Sequence, residues 1–408
     1  MDTNPLFTLA LGLARPWQVI RTAFDAQQGR LDLGIDFERG HTFACPSCTE
    51  SACPVHDTVE KTWQHLDFFQ HKAVLTARVP RISCPGCGVR QVAVPWARPG
   101  SGFTLLFEAY ALELVRHMPV RAAAKILGVT DHRLWRMLKH HVHEALSRVD
   151  LAQVQDLGVD ETSAKKGHDY ITLFYDLQAR RLVFVTPGKD STTFLRFRQF
   201  LQAHGGDVRK IRHISMDLSA AFQKAAAETF PQAGVTFDHF HVTKLVQEAL
   251  DQVRREQAKE HKAIKGMRWL FLRNASDLTE KQACLVGDVT ERHYILGEAW
   301  KLKESFRELW RQPSLEMARS FLLEWIATAI AKNIPPMTKV AWTLWDHHMG
   351  ILRWHISGVS NGVLEGLNSL IQAAKAKARG YRTHDNLITI AYLIVGKLNL
   401  PNYPCKMA

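Results

Sequence analysis

Read as a string of apolar and polar positions, the chain changes texture three times. In the first hundred residues the apolar runs are short and β-branched. Segments 18–24 and 30–38, split by the polar run 25–30, predict a hairpin, and 71–82 predicts another strand. From 103 the period lengthens to three and four residues, a helix that Pro119 must stop. A small Ala-rich helix over 120–127, a turn at Gly128 and a basic helix from Asp131 follow. Beyond 154 the texture is mixed. Leu157 to Val159 reads as the end of a strand running into Asp160 and Glu161. Strands over 170–175 and 182–186, a helix over 192–204, a strand over 211–216 ending at Asp217, a helix over 219–229 and a strand over 235–237 come next. The rest is helical, with 242–258, 305–311, 315–331 and 363–377 the clearest segments.

At 408 residues the chain is too long for one average domain, so two to four units are expected. The pattern divides it at 1–98, 99–150, 151–242, 243–350 and 351–408. Apolar residues make up 46% and charged ones 23%, which describes a globular protein rather than a disordered one. The net charge of +12 favours a polyanionic partner, because neutralised phosphates release counterions. No segment approaches the roughly 20 apolar residues that span a bilayer, and the run 6–14 is a poor signal peptide. The seven cysteines cluster, with Cys45, Cys48, Cys53, Cys84 and Cys87 together and Cys284 and Cys405 apart. That suits a metal site in a reducing compartment, so a cytoplasmic protein is expected.

The cluster contains two C-x2-C knuckles, Cys45-Pro-Ser-Cys48 and Cys84-Pro-Gly-Cys87. Four such thiolates can surround one tetrahedral Zn2+ at about 2.3 Å each, leaving no open position for chemistry. Residues 1–98 therefore read as a zinc ribbon holding one structural ion; Cys53 and His56 are neighbours that could replace a member of the second pair. Residues 120–139 read as a helix-turn-helix whose second helix offers Arg133, Arg136 and Lys139 to double-stranded DNA. A helical hairpin with a solvated basic face is the plainer alternative.

From 154 the order is three strands, helix, strand, helix, strand, which is that of the ribonuclease H fold. There the first and fourth strands are neighbours, so Asp160 and Asp217 stand side by side. Two carboxylates facing one point need a cation between them, and hard oxygen ligands suit Mg2+ or Mn2+. Two such ions can activate a water or a 3′-hydroxyl against a phosphodiester. Glu365 is the third candidate carboxylate, on a helix whose Glu365, Asn368 and Gln372 share one face. Lys375, Lys377 and Arg379 lie just beyond, where DNA phosphates would run. The segment 243–350 reads as an all-α insertion whose aromatics, Trp269, Phe271, Trp300, Trp310 and Trp325, belong to its core.

These motifs together resemble the bacterial insertion-sequence transposases of the ISL-three type over nearly the whole chain. Carrying the resemblance are the two Cys knuckles, His56-Asp57 with Trp63-Gln-His65-Leu66, Gly158-Val-Asp160-Glu161, Met216-Asp217-Leu-Ser219, Phe237-Asp238-His-Phe-His241-Val242, Arg268-Trp269-Leu-Phe-Leu-Arg273-Asn274, Ser360-Asn361-Gly362 through Glu365-Gly366-Leu-Asn368, and Arg379-Gly380-Tyr381-Arg382. The resemblance implies a DDE triad of Asp160, Asp217 and Glu365 in a ribonuclease H-like core with a helical insertion. It also implies two Mg2+ (or Mn2+) ions, binding to the element's terminal inverted repeats and to target DNA, at least a dimer on DNA, and a nucleoid-associated protein. Asp238 and His241 match an accessory Asp-x-x-His motif of this and related families, with a helix-start cap by Asp238 as the alternative. Gln372 departs from the family, standing where many relatives carry Lys. The rival reading is a catalytically retired zinc-ribbon and helix-turn-helix DNA-binding regulator.

Overall fold

The polar break at 25–30 is a tight hairpin turn, in which the Asp25 carboxylate accepts from the N–H groups of Gln27 and Gln28 at 2.9 Å. It joins β1 (Trp17–Asp25) to β2 (Arg30–Phe37), paired antiparallel with Asp25 opposite Arg30. The computed structural model describes residues 3–48, 50–165, 167, 169–357 and 362–403. They form two units, Met1–Ala145 with Asn399–Ala408, and Leu146–Leu398.

In the first unit, α1 (Asn4–Ala10) precedes the hairpin, and β3 (Val55–Gln64), β4 (Lys72–Cys84) and β5 (Gly88–Gln91) complete the sheet. Its order is β1-β2-β4-β3, with β5 on the end of β4. Alternation decides the buried face: Leu31, Leu33 and Ile35 of β2 pack with Leu75, Ala77 and Val79 of β4. Sequence pattern overlooked β3, because its only deeply buried side chain is Trp63. Helix α2 (Leu105–His117) starts at Thr104, whose hydroxyl accepts from the Phe107 N–H at 3.3 Å. Pro119 separates it from α3 (Val120–Ile126). Gly128, at φ +63°, turns the chain into α4 (Asp131–Ser147). The chain end, assigned from the sequence to the catalytic part, groups with this unit, and Tyr403 meets Tyr110 at 4.9 Å between ring centres.

The second unit is built on β6 (Asp156–Lys165), β7 (Asp169–Asp176), β8 (Arg181–Pro187), β9 (His213–Met216) and β10 (Gly234–Phe237), with sheet order β10-β9-β6-β7-β8. Strands β6, β7 and β8 run antiparallel, while β9 lies parallel to β6 and β10 parallel to β9. Parallel neighbours need long crossovers, which α5 (Thr192–Ala203) and α6 (Ala220–Thr229) supply. Phe194 and Phe197 of α5 and Phe222 of α6 are fully or almost fully buried, and the Phe197 ring stacks on Phe174 at 4.4 Å. Strand β6 does not end at Val159, as its apolar run suggested. Strand β7 goes on pairing with it as far as Lys165, whereas β9 accompanies it only to Gly158.

Every described element after β10 is helical. These are α7 (His239–Glu260), α8 (Arg268–Leu272), α9 (Glu280–Arg292), α10 (Tyr294–Phe306), α11 (Leu315–Ala331), α12 (Pro335–Leu352), α13 (Trp354–Ser357), α14 (Gly362–Lys377) and α15 (His384–Val395). The helix expected over 305–311 is instead the end of α10 and a 3-10 turn, Arg307–Arg311. Phe271 and Trp325 are core residues, and Trp325 donates its indole N–H to the Leu302 carbonyl at 2.9 Å. Trp300 and Trp310 pack against that core while partly buried. Trp269 is not a core residue: it is 67% exposed, with the Arg268 guanidinium 5.1 Å from its ring centre. No helix among the described residues is long and apolar enough to cross a membrane.

Helix α14 lies against β6 because position 158 has no side chain. A Cβ there would fall 2.6 Å from a Leu364 methyl and 2.8 Å from one of Leu177. Gly158→Ala is therefore expected to overpack the contact and destabilise this unit by about 1–3 kcal/mol. Adding Leu364→Ala should recover part of that loss in a thermal-unfolding double-mutant cycle. Additive single effects would disprove the contact.

Candidate active site and metal centre

Strand register brings the first carboxylates together. Gly158 pairs with Ser215 across β6 and β9, so two residues further along each chain stand Asp160 and Asp217. Met216 pairs with Phe237 across β9 and β10, so Asp217 and Asp238 follow at neighbouring strand ends. Three aspartates thus meet where β9 and β10 end, and ligands of open α/β sheets gather at such carboxyl ends.

Each is held differently. The Asp160 carboxylate accepts from the Glu161 N–H at 2.7 Å and from the Asn368 side-chain amide, whose oxygen takes the Tyr175 hydroxyl in turn. Asp217 accepts from the Ser219 N–H at 3.1 Å, just before α6. Asp238 is buried and N-caps α7, accepting from the Phe240 N–H at 3.3 Å. Its other oxygen takes the His241 Nδ1 proton at 2.7 Å. The helix-start cap expected as the alternative for Asp238 is formed, and the same carboxylate also holds His241.

The electrostatics follow from burial and crowding. Burial pushes the Asp160 carboxyl up to about 6; the Asp217 and Asp238 charges add to this, while the Glu161 N–H and His241 oppose it. Glu161 also rises, through burial and then the charge of Asp217. His241 is raised by its bond to Asp238, with Asp160 and Asp217 favouring its cation. A donor set of crowded carboxylates answered by one imidazole fits a hard divalent cation.

Glu365 is exposed in the first turn of α14, three residues before Asn368. It shares the helical face by which Asn368 reaches Asp160 and Gln372 reaches the Thr162 hydroxyl. Asp160, Asp217 and Glu365 do not draw their oxygens within 4.8 Å of one another. Ser360 and Asn361 lie outside the described residues. Sequence reasoning left out Tyr175 and Glu161; only the adjacency of Glu161 to Asp160 signalled either.

One turn further along α14, Lys375 donates to the Ser163 carbonyl. Lys375, Arg379 and Arg382 line a cleft of about 690 Å³ with Lys165 and Tyr381. None of these four cations pairs with a carboxylate among the described residues. Lys377 and Arg379 are exposed.

The other cluster is in the first unit. The sulfurs of Cys45, Cys48, Cys84 and Cys87 all lie within 4.8 Å of one another, with Cys48 and Cys84 at 3.5 Å. A tetrahedron with bonds of about 2.3 Å has edges of about 3.8 Å, so the four fit a structural zinc ion. Both knuckles are tightly turned: the Cys45 N–H bonds the Glu50 carbonyl at 2.8 Å, and Gly88 takes φ +70°. Cys53 stays outside the set, locked by two 3.0 Å backbone bonds to Phe43, and burial pushes its thiol up to about 11. His56 turns to Asp57 at 3.3 Å. On α4, Arg136 is exposed, Lys139 is half-buried, and Arg133 is half-buried against the loop before α2.

Residues 157–391 match a family model described as a transposase, of ISL3 type. Residues 92–142 match the helix-turn-helix domain of transposase family ISL3, and 41–91 the zinc-finger of the transposases of IS204, IS1001, IS1096 and IS1165. The transposase for insertion sequence element IS1001 of Bordetella parapertussis is 26% identical over 350 residues, covering 84% of this chain and 86% of that protein. The transposase for insertion sequence element IS1557 of Mycobacterium tuberculosis is 28% identical over 362 residues, covering 82% and 81%.

Elemental analysis of the purified full-length chain is expected to give one zinc per chain. Cys48→Ser should lose it and lower the melting temperature, since the binding free energy of a structural ion is folding free energy. Cys53→Ser should keep the zinc; losing it would reassign the ligand set.

Proposed function

Since this chain belongs to the ISL3 family of insertion-sequence transposases, we propose that it binds the terminal inverted repeats of its element and moves the element by metal-dependent strand cleavage and strand transfer. The observation that carries this reading is the register that brings Asp160, within β6, next to Asp217 just past the end of β9, with the Glu365 helix docked on β6. The sheet order and crossovers support a ribonuclease H-like reading of the core, with 151–242 and 351–398 as its two parts and 243–350 as an all-α insertion. Residues 1–98 form the zinc ribbon and 99–150 the helix-turn-helix domain, with Arg136 and Lys139 turned to DNA.

Asp160, Asp217 and Glu365 would hold Mg2+ or Mn2+, two ions in all. When bound, these supply the positive charge that activates a water or a 3′-hydroxyl and stabilises the leaving oxygen of a phosphodiester. The chain's own residues position and neutralise. Asn368, steadied by Tyr175, fixes the Asp160 carboxylate in place. His241, oriented through Nδ1 by Asp238, presents a proton-bearing ring to the same edge, where a phosphate oxygen would lie. Lys375, Lys377 and Arg379 give the DNA backbone a path along α14. Water, then the released 3′-hydroxyl, serves as nucleophile, so no covalent protein intermediate is needed. Pairing two element ends calls for at least a dimer on DNA, in the bacterial cytoplasm at the nucleoid.

The test is cleavage of a labelled duplex carrying the element end, with Mg2+ or Mn2+ and a gel shift in parallel. Asp160→Asn and Glu365→Gln are each expected to lose at least about 100-fold in rate, roughly 2.7 kcal/mol of transition-state stabilisation, while still binding the duplex. Cleavage surviving in either variant would remove that residue from the triad. A wild type that binds paired ends but never cuts them would point to the retired regulator.

A further inference from the structure

The loop 98–103, which leads from the sheet into α2, folds back on α4 and closes a pocket of about 330 Å³ in the first unit. Its walls are Arg98, the Gly100 to Gly102 turn, Phe103, Arg133, Arg136 and His140. Arg133 does not reach out from the helix as the sequence suggested. Its guanidinium carbon lies 4.3 Å from the centre of the Phe103 ring, and Phe103 is itself buried and stacked on Phe107 at 4.6 Å. This cation–π contact holds the guanidinium over the ring. A Cβ at position 102 would stand 3.3 Å from its Nη2, so glycine there leaves the fork its room.

Arg136, three residues on, brings a second guanidinium to the same pocket. Burial and then the Arg136 charge work against Arg133 carrying its proton. Neither arginine pairs with a carboxylate among the described residues. The nearby acid, Glu108, is buried and already engaged, accepting from Arg98 at 2.9 Å, Ser101 at 2.6 Å and His141 at 2.7 Å. His140 turns to Glu144 at 3.4 Å. Two cations thus converge on a concave site whose own carboxylate is spent elsewhere, an arrangement that calls for an anion. A planar fork held in place matches a phosphate.

We propose that Arg133 and Arg136 clamp one backbone phosphate of the DNA duplex in this pocket, so that Arg133 sets the position of the recognition helix and reads no base. This rests on the reading that the segment binds DNA, and it revises the role of one residue within it. Phosphate contacts position a protein on DNA, whereas base-edge contacts carry the sequence information.

The two roles separate by salt and by sequence. Binding of the full-length chain would be measured by fluorescence anisotropy between about 50 and 300 mM salt. One duplex carries the terminal repeat, the other a scrambled sequence, and the proteins are wild type, Arg133→Gln and Arg133→Lys. Removing one phosphate contact lowers the slope of log K against log salt by about 0.9. Arg133→Gln is expected to show that change and to weaken both duplexes by the same factor, roughly tenfold. Arg133→Lys keeps the charge, so it should keep the slope while losing affinity on both. Weakening of the terminal-repeat duplex alone would make Arg133 a base reader and overturn the proposal. So would a lowered melting temperature with an unchanged slope. A wild type that binds neither duplex would overturn the DNA-binding reading itself, and the pocket with it.

Discussion

Everything in the second unit turns on repulsion between carboxylates that a sheet forces together. The parallel pairing of β6, β9 and β10 leaves Asp160, Asp217 and Asp238 no choice of neighbours, because each stands at a fixed offset from a paired residue. Burial makes the crowding worse by weakening solvation of the charged forms, which is why the Asp160 carboxyl is driven up to about 6. The surrounding residues answer that cost. Asp238 is spread over a helix cap and an imidazole, and Asn368 with Tyr175 gives Asp160 a hydrogen-bonded ladder instead of a charge. Glycine at 158 belongs to the same solution, since only a bare backbone lets α14 come close enough for Asn368 to reach across.

The parts of this arrangement that were legible in the sequence are those set by local rules. The order of the elements apart from β3, the Cys knuckles, and the aspartates that follow β9 and β10 can be read from periodicity and spacing. Strand β3 was invisible because Val55–Gln64 is polar on both faces and only Trp63 is deeply buried. The length of β6 was misjudged for a related reason: after Val159 the strand is held by pairing with β7, and pairing leaves no apolar signature. Tyr175 could not be found at all, since a tyrosine in an apolar strand looks like core until a helix nearly two hundred residues away supplies Asn368. Trp269 failed in the opposite sense, as an aromatic in a helical segment that ends on the surface beside Arg268.

The net charge of +12 says less than its distribution. Along α7 to α12 many cations are matched by acids close in the chain: Arg254 with Asp251 at 2.7 Å, Arg292 with Asp288 at 2.7 Å, Lys301 with Glu298 at 3.0 Å. Those charges cancel locally and attract little from a distance. Lys165, Arg379 and Arg382 in the cleft along α14, and Arg133 and Arg136 in the pocket under α4, have no carboxylate partner among the described residues. These five therefore stand uncancelled at two concave places, one of them in the helix-turn-helix segment. Counterion release depends on cations that phosphates can reach and neutralise. A chain with the same total, but with these five paired and the helical ones unpaired, would be as basic and would lack both sites.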